Sequence, residues 1–218
     1  MSAVAPAVPR LVLADRVLGR SLPLDVVLVA AGTSLVALGA QIIVPLWPVP
    51  VTMQTFAVLL VAVTLGPLRA SISMALYLLL GVVGLPIFAE GKSGSLFALT
   101  SGGFIIGFIL SALLVGWLAR RAWDRRFLGA AVSFLAGTAV FYAVGLPWLY
   151  FSLQGLGAGV WQDALGYDTL LAATFGAGLL PFIVGDVAKI VVASSLLPLA
   201  WWGAGRIEER RASDADAA

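Results

Sequence analysis

Six stretches of this chain, residues 25–46, 51–65, 70–88, 102–119, 127–151 and 179–202, run for 15 to 25 residues with almost no charge. A helix needs ~20 mainly apolar residues to cross a bilayer. Hydrophobic residues make up 61% of the chain and charged residues 11%, against about 25% charged in an ordinary soluble domain. These proportions exclude a soluble globular domain, a disordered chain and a nucleic-acid-binding module. The expectation is an all-α polytopic membrane protein with six transmembrane helices. A cytoplasmic segment (1–24) precedes the membrane domain (25–205), and a polar, disordered tail (206–218) follows it. The second stretch is short and would borrow from its flanks. The apolar residues 169–178 read as a short interfacial or re-entrant piece feeding the sixth helix.

Of the 13 basic residues, eleven fall in alternate connections: Arg10, Arg16, Arg20, Arg69, Arg120, Arg121, Arg125, Arg126, Arg206, Arg210 and Arg211. The other side has only Lys92, and Lys189 lies within the sixth stretch. Basic residues favour the cytoplasmic side, so both termini are expected there. The opening residues have no long apolar run with a cleavage site, so no removable signal is expected. The outer connections are then 47–50, 89–101 and 152–168. The last two are long and rich in glycine, which suits either recognition or simple flexible turns.

The chain has no cysteine, no histidine and no asparagine. Disulfides, thiolate nucleophiles, imidazole relays and His-ligated metals are thereby excluded. Paired catalytic carboxylates inside the membrane are also missing. No enzyme activity, metal or cofactor is expected. Gly91-Lys92-Ser93 resembles the end of a P-loop, but Pro86 stands where its first glycine is required, so no ATPase is expected in this chain.

Only Asp186 and Lys189, in the run Gly185-Asp186-Val187-Ala188-Lys189, lie well inside an apolar stretch. A lone charge at mid-membrane costs ~2.5–3.5 kcal/mol on insertion scales. A spacing of three residues puts both on one helix face, ~4.5 Å apart along the axis. They are either a self-neutralising pair, with Asp186 capping the helix after Gly185, or the polar floor of an outward-facing pocket. Ala30, Thr33, Ser34, Ala37 and Ala40 form a small-residue face on the first helix, suited to close packing within the bundle or to docking a second membrane protein. The corner from Pro45 to Gln54 carries Pro45, Pro48 and Pro50. It holds Trp47 near the interface and sets Thr52 and Gln54 at the outer end of the second helix. There they need a neighbouring helix or a ligand as partner.

Three motifs in order, PVTMQT (50–55), GLPIF (84–88) and GDVAK (185–189), together with SGGFIIGF (101–108), resemble the BioY family, the biotin-specific S components of energy-coupling-factor (ECF) transporters. The resemblance spans nearly the whole chain apart from its tails. It implies a six-helix S-component fold in a prokaryotic plasma membrane. It implies biotin as ligand, with a transmembrane coupling subunit and cytoplasmic ATPases as partners. Asp186 and Lys189 become the pocket floor, and the small-residue face becomes the surface for the coupling subunit. The outer loop departs from relatives, with Glu90 before Gly91 and Leu99-Thr100-Ser101 where Gly-Pro-Thr is common. Biotin offers ureido N–H donors, a carbonyl acceptor and a carboxylate tail. A carboxylate and an ammonium match these groups. Phe88 and Tyr150 are expected to pack on its rings and Lys92 to meet its tail. The competing reading is an ion- or proton-coupled carrier of another small solute, using Asp186 as the coupling carboxylate.

Overall fold

The computed structural model describes residues 11–216. Nine helices occur among them: α1 (Leu13–Leu18), α2 (Leu22–Gln41), α3 (Gln54–Leu65), α4 (Pro67–Val82), α5 (Gly102–Arg120), α6 (Phe127–Leu156), α7 (Ala158–Leu165), α8 (Leu170–Gly178) and α9 (Leu180–Asp216). Two short strands, β1 (Ile43–Val44) and β2 (Val51–Thr52), pair antiparallel with Ile43 opposite Thr52.

Local chemistry sets the helix ends. Ser21 caps α2, its side chain accepting from the Leu24 amide at 3.4 Å, and Thr169 caps α8 in the same way through Ala172 at 3.2 Å. Gly66, at φ +80°, ends α3 and turns the chain directly into Pro67, the first residue of α4. A positive φ there suits glycine, and proline fits the first helical position.

Helix α5 is the centre of the bundle, packing on α3, α4 and α6. It buries residues on nearly every face. Outer helices instead expose apolar side chains such as Val26, Val27, Leu35 and Leu38 of α2 and Val184, Val187 and Val191 of α9. Such surface is stable against lipid, not water. Among the described residues, four segments are long and apolar enough to cross a membrane: Leu22–Gln41, Gly102–Arg120, Phe127–Leu156 and Leu170–Ile207. The last bends at Leu179 (φ −128°, ψ −55°), where α8 meets α9. Helices α3 and α4 are apolar but shorter.

Several boundaries differ from the sequence expectation. Helix α3 starts only at Gln54, because 43–52 forms the β1–β2 hairpin with the proline corner at its tip. The Met53 amide ties this hairpin to α2, donating to the Gly39 and Ile42 carbonyls at 3.1 Å each. Helix α4 ends at Val82, not 88. The chain turns back so that Phe88 fills the space left by Gly81, where a Cβ would lie 2.2 Å from the ring. Helix α6 continues through Pro147 to Leu156, and α7 occupies much of the expected 152–168 loop. The segment 1–24 contains α1, with Asp15 buried. The expected disordered tail instead extends α9 to Asp216, through alanine, glutamate and arginine, all good helix formers.

The basic connections converge on one end of the bundle. Asp15 accepts from Arg20 at 2.5 Å and from Arg69 at 2.6 Å, and Arg69 also meets Asp25 at 2.5 Å. Burial alone would raise the Asp15 carboxyl, but the hydrogen bonds and charges of Arg20 and Arg69 outweigh it and hold it below the ordinary value. At the same end Trp201 Nε1 donates to Asp124 at 2.8 Å. Arg10 lies outside the described residues, as do the side chains of Arg210 and Arg211 and residues 217–218 of the tail.

Candidate ligand-binding site

At the opposite end from Asp15, α3, α5, α6 and α9 meet beneath the hairpin. Asp186 and Lys189 lie inside α9, so Asp186 is not a helix cap. Their side chains are 7% and 11% exposed and 3.2 Å apart. Lys189 Nζ also donates to the Thr52 carbonyl at 2.8 Å and to Thr55 Oγ1 at 2.9 Å. Thr55 Oγ1 lies 3.3 Å from Asp186 Oδ1, and the Tyr142 hydroxyl donates to Asp186 Oδ2 at 2.6 Å. Each charge is thus paired and hydrogen-bonded, the condition under which burial of an ion pair is tolerated.

Gln54 continues the polar layer. It is buried, donates through Nε2 to the Tyr77 hydroxyl at 2.7 Å and accepts from Thr52 Oγ1 at 3.3 Å. Tyr77 in turn donates to the Ile87 carbonyl at 3.2 Å. The hairpin and the start of α3 therefore present both backbone and side-chain polar groups to Lys189. Irregular backbone at membrane depth is tolerated where it is buried in protein or lines a cavity.

Over this layer opens a pocket of about 530 Å³, counted to its open mouth, with Lys189, Thr52, Gln54 and Thr55 on one wall. Phe104, Phe108, Phe141 and Tyr142 form the other. These rings brace one another: Phe104 meets Tyr142 edge-on at 5.9 Å, and Phe108 meets Phe141 at 5.7 Å. Pro50, Ala89 and Ser101 line both this pocket and a second, outer one, so the two adjoin. The outer chamber holds Lys92 and Glu90, which form an ion pair. The arrangement can accept N–H donors, donate to a carbonyl or carboxylate, and pack flat apolar rings.

The structure gathers Asp186, Lys189, Thr52 and Gln54 in one layer and puts Lys92 in the chamber above. Phe88 is 1% exposed and stands edge-on to Tyr77 at 5.4 Å, within the core. Tyr150 lies eight residues past Tyr142, ~12 Å along α6. It lines a different groove with Phe175 and Leu171 of α8. Neither ring faces the pocket over Lys189. The small-residue face also divides. Thr33 and Ala40 are buried, with Thr33 Oγ1 donating to the Ser73 carbonyl at 3.0 Å. Ala37 is half-buried against the core, whereas Ala30 and Ser34 are exposed. Thr55 and Tyr142 were not foreseen. Thr55 closes the PVTMQT motif and had a signal there, whereas Tyr142 had none.

A family model described as the BioY family matches residues 15–206. A biotin transporter BioY of Thermotoga maritima is 35% identical over 170 residues, covering 77% of this chain and 90% of its own. A probable biotin transporter BioY of Pyrococcus horikoshii is 34% identical over 170 residues, covering 78% and 91%. Among solved structures, the S component for biotin from an ECF-type ABC transporter superposes with a TM-score of 0.64 at 23% identity. It covers 82% of this chain and 93% of its own. At that identity the likeness speaks for the fold.

Proposed function

The chain belongs to the BioY family, and from that premise we propose that it binds biotin between the Asp186–Lys189 layer and the aromatic wall. Its relatives are named transporters, not enzymes. The observation that carries the reading is a buried, fully paired acid–base couple whose lysine, with Thr55 and Tyr142 that hold its carboxylate, lines a ring-lined pocket.

Biotin's chemistry assigns its ends. The inner pocket is aromatic and carries a donor, with an acceptor directly behind its wall, which suits the fused rings, Lys189 taking the ureido oxygen and Asp186 the ureido N–H groups once Tyr142 turns aside. The outer chamber carries Lys92, which suits the anionic tail. Tyr150 has no part in this pose, and Phe88 lines the outer chamber beside the tail rather than the pocket that takes the rings.

In this reading the protein is the S component of an ECF-type transporter in a prokaryotic plasma membrane. It crosses six times, with α3 and α4 completing the four longer spans and both termini cytoplasmic. A transmembrane coupling subunit and cytoplasmic ATPases are its partners, and the exposed part of the α2 face, Ala30 and Ser34, is the docking surface.

The test is calorimetric titration of the purified protein against a panel of vitamins. Tight, selective binding of biotin is expected, and its absence sinks the reading.

A further inference from the structure

The basic side chains of the described residues differ in their partners. Arg20, Arg69, Lys92 and Lys189 each face a carboxylate, and Arg16 lies over the Trp201 ring at 5.6 Å. Arg120, Arg121, Arg125, Arg126 and Arg206 form no ion pair with any described residue, and all five are exposed. The one acid between them in the α5–α6 connection, Asp124, is fully buried and turned inward to Trp201. The same end of the molecule is therefore split. Around α1, α2 and α4 the charges of Asp15, Arg20, Asp25 and Arg69 cancel locally. Around the α5–α6 connection and at Arg206 of α9 the arginines have no carboxylate partner among the described residues.

These arginines share one end of the bundle. The Asp124–Trp201 hydrogen bond pins the connection to α9, and Arg206 lies five residues beyond Trp201, ~7.5 Å along the helix. Three of the guanidinium groups rest on indoles: Arg121 over Trp117 at 3.8 Å, Arg125 over Trp201 at 4.6 Å and Arg206 over Trp202 at 4.7 Å. A stacked guanidinium uses its face on the ring and keeps its in-plane N–H donors for an oxyanion. Trp117, Trp123 and Trp202 are exposed, and tryptophan settles at the headgroup level of a bilayer.

We propose that the surface formed by Arg120, Arg121, Arg125, Arg126 and Arg206 binds the phosphate headgroups of anionic phospholipids. The proposal rests on reading the chain as bilayer-spanning with this end at an interface. It does not depend on what the pocket binds. It holds the α5–α6–α9 side of the bundle to the lipid and leaves the ion-paired α1–α2–α4 side unheld.

The test uses the full-length protein in detergent, titrated with dioleoyl phosphatidylglycerol or dioleoyl phosphatidylcholine. Retained lipid is counted by native mass spectrometry, and biotin affinity is measured on the same samples. The wild type is expected to prefer phosphatidylglycerol, with the preference falling as salt is added. The triple variant Arg120→Gln, Arg121→Gln, Arg126→Gln should lose about tenfold or more of that preference, given the attraction each basic residue exerts near an anionic surface. Biotin affinity should be unchanged, and Arg20→Gln should keep the lipid preference. Equal retention of the two lipids by the wild type, or an undiminished preference in a folded triple variant, overturns the proposal. So does equal competition by inorganic phosphate, which would mean a site for free anions. A triple variant that keeps its lipid but loses an acidic protein partner overturns it in favour of protein docking. If the triple variant does not fold, the wild type's lipid preference and its salt dependence decide. Biotin binding absent with lipid preference intact would count against the pocket reading alone.

Discussion

The two oxygens of Asp186 are claimed by different helices: Oδ1 lies 3.2 Å from Lys189 on its own helix, and Oδ2 lies 2.6 Å from the Tyr142 hydroxyl on α6. An N–H donor that enters the pocket must share or replace one of these bonds. Tyr142 is the easier to displace, because its hydroxyl can rotate while the ring stays braced by Phe104 and Phe141.

Asp186→Asn should therefore lower biotin affinity about 10- to 100-fold, since a hydrogen bond to a charged group is worth ~1.5–3 kcal/mol. Lys189→Met should do similar damage, and the double variant less than the sum, because the two share a network. Tyr142→Phe should leave affinity within about tenfold of the wild type, since the hydroxyl it removes is the one the ligand displaces while Lys189 and Thr55 still hold the carboxylate. Titration and thermal melting on the same purified variants decide the matter. Wild-type affinity in a folded Asp186→Asn protein would remove Asp186 from the site.

Asp186 and Lys189 were legible in the sequence because a charge inside an apolar run is costly and needs a reason. Tyr142 was not, because a tyrosine among the aromatics of a membrane helix carries no comparable cost. The proline corner was visible, but the two-residue strands beside it are too short for any periodicity to show. That hairpin moves the start of α3 to Gln54 and so places Thr55 under Lys189. The position of Phe88 was hidden for a similar reason. Its burial depends on Gly81, seven residues earlier, leaving a gap that only the folded turn reveals.

The division of the α2 face predicts two different failures. Ser34→Trp adds a bulky ring to an exposed position and should abolish uptake while leaving biotin binding intact. Ala40→Trp overfills a buried position and should lower melting temperature and expression, since overpacking costs ~1–3 kcal/mol or more. Uptake by cells and binding by purified protein separate the two. Normal uptake by the Ser34→Trp variant would show that no partner docks there.

Topology can be read with single cysteines, since the chain has none of its own. Ser93→Cys should react with a membrane-impermeant maleimide added to intact cells. Arg126→Cys should react only after permeabilisation. The reverse pattern would invert the protein in the membrane.

Asp124 predicts a pH dependence. Burial, partly offset by the Trp201 N–H and the charge of Arg125, pushes its carboxyl up to about 6. The folded state then holds a proton that the unfolded state releases near pH 4. Stability should fall as pH rises from about 4 through about 6 and level off above, by ~1.4 kcal/mol for each pH unit between the folded and unfolded values. Asp124→Asn should flatten the profile between about pH 4 and 6. A variant with an unchanged slope of melting temperature against pH would exclude Asp124 as its source.

Helix α3 has 12 residues, which span ~18 Å against the ~30 Å of a bilayer's hydrocarbon core. The hairpin takes the place of the missing turns, and the pocket floor rests on its last residues. A solute seated at Thr52 and Lys189 has therefore already left behind much of the insulating layer. What still separates it from the other side is little more than the length of α3, so the final release step faces a thinner barrier than the membrane around it.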